Sequence, residues 1–275
     1  MIETIDTAGW VMIIIGLFAT GAVAGTMAGL LGVGGGIVIV PVLSWILTFT
    51  GFPTELSQHM AVATSLATIV PTAISSSRAH HARGGIDFAV LRSWGPAVVL
   101  GALAGGILAR YISGDVLRLV FGFVALAVAV NMSVPKTLVV SDRLPHPAIA
   151  SPIGGIIGLI SSLMGIGGGT LAVPTQAAFS VPIRRAVGTA SALGLLIAVP
   201  GVLGFVWSGW SAEGRPPLSL GYVSLPAAAC IVPLTWLFAP YGAKLAHTVN
   251  QRVLKLCFAV FLALTAVKML LSVFG

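Results

Sequence analysis

Charge is what this sequence has least of. Only 8% of its 275 residues are Asp, Glu, Lys or Arg, while 57% are hydrophobic; a soluble domain carries roughly a quarter charged residues. So few charges cannot cover the surface of a water-soluble fold of this length, which leaves lipid as the solvent. Cysteine is nearly as scarce. Cys230 and Cys257 both fall in apolar runs, supply no disulfide framework, and read as small buried hydrophobes. No Asp or Glu lies inside an apolar run, so no membrane-embedded carboxylate stands ready to carry a coupling proton. Nor does any His/Cys/carboxylate cluster have metal-ligand spacing, or any nucleophile sit in a motif with a base. The sequence therefore reads as a non-enzyme without metal or cofactor.

What is abundant is long apolar runs. Trp10–Leu31 is long enough to cross a bilayer as a helix, whereas a barrel would show alternating segments of about ten residues. The fold class that follows is an all-α integral membrane protein. Glu3 and Asp6 lead the first run and no Lys or Arg does, the wrong sign for a signal peptide, so this run reads as a retained helix. The formal net charge of +7 does not point to nucleic acid. Its Lys and Arg lie in short loops between apolar runs, where the positive-inside bias puts them. The implied partners are the lipid bilayer and a small solute.

The chain repeats itself. Gly32-Val33-Gly34-Gly35-Gly36-Ile37-Val38-Ile39-Val40-Pro41 returns as Gly165-Ile166-Gly167-Gly168-Gly169-Thr170-Leu171-Ala172-Val173-Pro174. Ala61-Val62-Ala63-Thr64 returns as Ala186-Val187-Gly188-Thr189, and Val116–Phe121 as Val253–Phe258. Matches in the same order mark a duplicated unit. The halves are residues 1–134 and 148–275, joined by a linker at 135–147. Five apolar segments are expected in each: 10–31, 37–50, 60–77, 93–112 and 117–134, then 148–164, 170–181, 187–208, 221–240 and 253–273. Segments 37–50, 148–164 and 170–181 are short for a hydrocarbon core of about 30 Å. Each lies against a glycine break, so the first two segments of each half should form a hairpin around a GxGGG turn, either spanning or re-entrant.

Loop charge orients the chain. Arg78, Arg83 and Arg92, then Lys136 and Arg143, then Arg184 and Arg185, then Lys244, Arg252 and Lys255 all thread to one side. The other side, with the N-terminus and the Glu55 loop, holds only Arg110, Arg118 and Arg215. The basic side is cytoplasmic by the Lys/Arg rule. This puts the N-terminus outside a bacterial-type inner membrane, the linker 135–147 inside, and the two halves in opposite orientation. Inverted repeats with Gly/Pro-broken helices are a secondary-transporter architecture whose sites lie between the repeats.

The glycine turns are the strongest candidate site. Gly34, Gly35 and Gly36, and their copies Gly167, Gly168 and Gly169, leave backbone N–H groups at the start of a helix, where the macrodipole favours an anion. Pro41 and Pro174 each free one carbonyl of the helix that follows. Glycines also serve close helix packing; two copies at identical spacing, each with its proline, favour binding. Thr64, Ser65, Thr170, Gln176, Thr189 and Ser191 are the polar side chains available to complete the site. His59 reads as an interfacial residue rather than a proton relay, His80 and His81 as solvated. Lys268, well inside a segment, is expected to snorkel to the interface. Without membrane carboxylates, outward flow of an anion down the membrane potential fits better than uphill uptake.

The paired GxGGG-x4-P turns, opening two halves of an apolar chain of this length, resemble the TauE/SafE sulfite-exporter family of membrane permeases. The resemblance runs from about Gly21 to Leu271 and rests on Gly32–Pro41, Ala61–Ser65, Gly165–Pro174 and Ala186–Ser191. It implies transport of a small sulfur-containing anion such as sulfite, sulfoacetate or a related sulfonate. A passive anion channel and a non-transporting membrane scaffold are the competing readings. Small-residue faces pack within or between chains alike, so no oligomeric state is assigned.

Overall fold

The computed structural model describes residues 6–133, 140–141, 144–246 and 251–274. Most of the linker 135–147, and the side chains of the repeat match at Val253–Leu254-Lys255 and at Cys257 and Phe258, lie outside the described residues. Ten helices follow in order: α1 (Thr7–Leu31), α2 (Gly36–Phe49), α3 (Thr54–His81), α4 (Phe88–Leu108), α5 (Gly114–Ser133), α6 (Pro147–Met164), α7 (Gly169–Ala178), α8 (Ile183–Ser208), α9 (Leu225–Leu245) and α10 (Gln251–Phe274). A 3-10 turn at Ala109–Tyr111 precedes α5, and a two-residue ribbon, β1 (Ser219–Leu220) with β2 (Val223–Ser224), precedes α9. Among the described residues, six helices are long and apolar enough to cross a membrane. Large exposed side chains such as Met12, Phe49, Leu100, Phe123 and Leu203 cover the outside, as a surface bathed in acyl chains requires.

Local chemistry sets the helix starts. Asp6 caps α1 by accepting from the Gly9 amide, Asp87 caps α4 through Ala89, and Ser224 caps α9 through Ala227. Helix-to-helix contact then follows one rule. α1 packs on α9 and α4 on α6, α4 on α8 and α9 on α3, α2 on α3 and α7 on α8, while α3 meets α8 and α5 meets α10. Exchanging helices 1–5 with helices 6–10 leaves these pairings unchanged. Glycines at every fourth residue make the outer pairs close. A Cβ on Gly25 of α1 would stand 2.7 Å from the Thr235 Cα of α9, the small-xxx-small packing of membrane helices.

α3 and α8 are the most buried spans and form the centre. That placement corrects several expectations drawn from hydropathy. α3 begins at Thr54, not near 60, and takes in Glu55, Ser57, Gln58 and His59. His80 is 3% exposed rather than solvated, with Nε2 3.0 Å from the Gly29 carbonyl of α1. His59 is likewise buried; Nδ1 lies 2.9 Å from the Glu55 carbonyl, and Nε2 3.0 Å from those of Ala109 and Ile112. Arg118 belongs not to an outer turn but to the first turns of α5, 4% exposed, bonded to the Thr54 carbonyl and paired with Asp115. His81 is exposed, and Lys268 sets its Nζ 3.3 Å over the ring of the exposed Trp45. Cys230 is half-buried and free.

Candidate functional site

α1 ends because Gly32 turns left-handed, φ 68°, its N–H bonding back to the Ala28 carbonyl. Gly34 and Gly35 are left-handed as well, and α2 starts at Gly36. L-residues pay about 1–2 kcal/mol to enter that region. The second turn has the same sequence pattern but a different backbone. Gly165 is left-handed, φ 70°, whereas Gly168, the residue before α7, is right-handed at φ −54°.

The two turns lie directly against each other at the centre of the protein, and every residue of 31–40 and 161–170 is buried. A Cβ on Gly34 would stand 3.0 Å from the Gly167 Cα, and one on Gly167 3.0 Å from the Gly34 Cα. A Cβ on Gly36 would overlap the Gly165 carbonyl oxygen, and one on Gly169 the Gly32 carbonyl oxygen. Close approach therefore accounts for these glycines. Gly168 differs, since its Cβ would meet first the Ile197 Cδ1, at 3.0 Å.

The same junction gathers unbonded amides. Among the described residues, Val38 and Ile39 donate to the Gly35 carbonyl and Ala172 to that of Gly168. The amides of Gly36 and Ile37, and of Gly169, Thr170 and Leu171, find no backbone acceptor among the described residues. Two helix N-termini thus bring partial positive charge to one buried junction, with no cationic side chain among residues 31–40 and 161–170. Pro41 and Pro174, inside α2 and α7, leave the carbonyls of Ile37 and Thr170 without their usual helical donors.

Not every side chain proposed from sequence reaches this junction. Ser65 does, donating to the Gly165 carbonyl at 2.7 Å. Thr170 also does, its hydroxyl turned back to the Gly167 carbonyl at 3.4 Å. Ser191 sits against Gly32, donates to the Val187 carbonyl and accepts from Ser76 at 3.1 Å. Thr64 and Thr189 face elsewhere and share one task. The Ser224 amide donates to the Thr64 hydroxyl at 2.9 Å, and the Asp87 amide to the Thr189 hydroxyl at 2.8 Å. Each threonine therefore ties the capping residue of α9 or α4 to a central helix of the other half. Gln176 lies two turns along α7, fully buried, with both amide atoms unpartnered.

The residues that the sequence reading missed lie on α3. Gln58, Thr68, Thr72, Ser75 and Ser76 are all buried, and the Gln58 amide has no partner. Their helical spacing was the available signal. At the far end of the molecule, Tyr222 stacks at 4.9 Å on His59. Burial first, then nearby Glu55, raise the Tyr222 pKa against the opposing pull of Arg110 and Arg215.

A family model described as sulfite exporter TauE/SafE matches residues 17–269. A "Probable membrane transporter protein" of Haemophilus influenzae is 36% identical over 255 residues, 92% of this chain and 96% of its own length. "Probable membrane transporter protein MJ0441" of Methanocaldococcus jannaschii is 28% identical over 240 residues, 86% of each chain. "Probable membrane transporter protein YunE" of Bacillus subtilis is 25% identical over 260 residues, 86% of this chain and 88% of its own. No solved structure matches the chain.

Proposed function

From the premise that the chain belongs to the sulfite exporter TauE/SafE family, we propose that it is a carrier that exports a small sulfur-containing oxyanion across an inner membrane. The observation that carries this reading is the junction itself, two half-length helices whose N-termini meet at buried turns, 31–40 and 161–170, that contain no charged residue. An oxyanion accepts hydrogen bonds from such amides without the cost of burying a second charge.

The helix lengths support a central position for the site. α2 has 14 residues and α7 has 10, about 21 Å and 15 Å at 1.5 Å per residue. Run inward from opposite faces, as an inverted repeat requires, they meet near the middle of a bilayer whose core is about 30 Å. The N-terminus is then outside and the 135–147 linker cytoplasmic. Gly34–Gly36 and Gly167–Gly169 frame the site, Ser65 and Thr170 add hydroxyls, and Gln176 and Ser191 stand behind them. Thr64 and Thr189 hold the frame. An inside-negative potential moves an anion outward with about 2.3 kcal/mol per charge per 100 mV, so export needs no coupling ion.

Thermal stabilisation of the purified protein by sulfite, thiosulfate, sulfate, sulfoacetate, taurine, acetate and chloride tests the reading. A ligand at 100 times its dissociation constant adds about 2.7 kcal/mol. Stabilisation by a sulfur oxyanion is expected; silence across the panel from folded protein counts against it.

A further inference from the structure

The duplication supplies an internal control for α3. With Thr64 aligned on Thr189, Gln58 of α3 matches Ile183 of α8, Ser65 matches Ala190, Thr68 matches Leu193, Thr72 matches Ile197, and Ser76 matches Gly201. On α3 all five side chains are polar and at most 1% exposed. On α8 all five matching residues are apolar or lack a side chain. Steps of seven, three, four and four residues put the α3 set on one face of the helix.

The fold does not need that polarity. α8 is the matching span of the repeat, is also largely buried, and carries an apolar residue or glycine at each of the five matching positions. Burying a hydroxyl or amide costs roughly 1–3 kcal/mol when it is not fully bonded, so an idle polar face would be a net loss. Parts of this one are bonded into the site region: Ser65 reaches the second glycine turn and Ser76 reaches Ser191 of α8. Thr68 and Thr72 bond only to the carbonyls of their own helix, at Ser65 and Thr68, from which a hydroxyl swings away by one rotamer change. Gln58, two turns before Ser65 on the same face, has both amide atoms buried and no partner in the protein.

We propose that the polar face of α3, and not the matching face of α8, is the path along which the substrate reaches and leaves the glycine junction. The inference rests on the transport reading and deepens it. The Gln58 amide N–H and the hydroxyls of Ser65, Thr68, Thr72 and Ser76 form a file of uncharged donors, the chemistry that passes a small oxyanion without trapping it. The α8 face, with Leu193 and Ile197, is the dry wall opposite.

The test is thiol accessibility in proteoliposomes, with Cys230 and Cys257 changed to Ser and one new cysteine at a time. The probe is 2-sulfonatoethyl methanethiosulfonate, itself a small sulfonate, and labelling is read by mass spectrometry. Thr72→Cys should label about tenfold faster than Ile197→Cys, the ratio given by about 1.4 kcal/mol. Ser76→Cys provides the same reading if Thr72→Cys does not fold, and Arg83→Cys, at an exposed position, reports that the probe is active. Equal labelling on the two helices, or no labelling at 72 and 76 with Arg83→Cys modified, overturns the path. Selective α3 labelling in liposomes that move no oxysulfur anion keeps the path and sinks the export reading instead.

Discussion

Gly168 and Gly169 are neighbours in sequence, yet alanine at each should have opposite outcomes. At Gly169 a methyl overlaps the Gly32 carbonyl oxygen and carbon and stands 2.6 Å from the Val33 amide nitrogen. These are backbone atoms of the other turn, which no rotamer change can move. Overpacking costs typically about 1–3 kcal/mol, and a rigid backbone partner sets the figure at the upper end. Alanine returns up to about 1 kcal/mol of helix propensity, for a net loss of about 2–3 kcal/mol. At about 2–4 °C per kcal/mol this lowers the melting temperature by roughly 5–10 °C. At Gly168 φ is −54° and the nearest atom is the terminal methyl of Ile197, which can turn aside. Gly168→Ala should melt within about 3 °C of the parent. Melting of both variants in detergent, followed by tryptophan fluorescence or size-exclusion, decides the matter. Equal melting of the two variants would refute the claim that the turns are in contact.

The threonine pair gives a second test. Thr64→Val leaves the buried Ser224 amide without an acceptor and should cost about 1–3 kcal/mol; Thr189→Val should cost less, because the Asp87 amide is only partly buried. Melting curves that rank the two the other way contradict the capping role. Ser65→Ala removes the bond to the Gly165 carbonyl and should destabilise by about 1 kcal/mol, since Ala190 shows that a methyl fits the matching position. His59→Phe strips the two carbonyl contacts, at Ala109 and Ile112, that join α3 to the turn before α5, and one to Glu55 of its own helix. It should lower stability by about 2–3 kcal/mol, and an unchanged melting temperature would show those contacts to be idle.

How much was legible in the sequence follows from what hydropathy measures. A long apolar run reports that a segment avoids water, so all ten helices were found, most within a few residues of their ends. It cannot report whether the neighbour is lipid or protein. α3 therefore read as starting near 60, with His59 at its boundary, while His80 read as solvated and Arg118 fell in an outer turn. All are buried against other helices. The glycine turns were legible as a duplicated motif, but their mutual contact was not, because it joins residues 133 positions apart in the chain, from Gly34 to Gly167. Thr64 and Thr189 stand at matching positions of the sequence repeat, but the bonds their hydroxyls make lie away from the junction. Their partners, the amides of Ser224 and Asp87, are backbone groups that no side-chain pattern announces.

Efflux from proteoliposomes tests the central claim most directly. Vesicles loaded with labelled sulfoacetate or sulfite, and held at a potential negative inside, should lose label at a saturable rate. That rate should rise when unlabelled anion is added outside and fall when the potential is collapsed. Folded protein that moves neither anion under these conditions, nor thiosulfate or taurine in the same assay, contradicts the account.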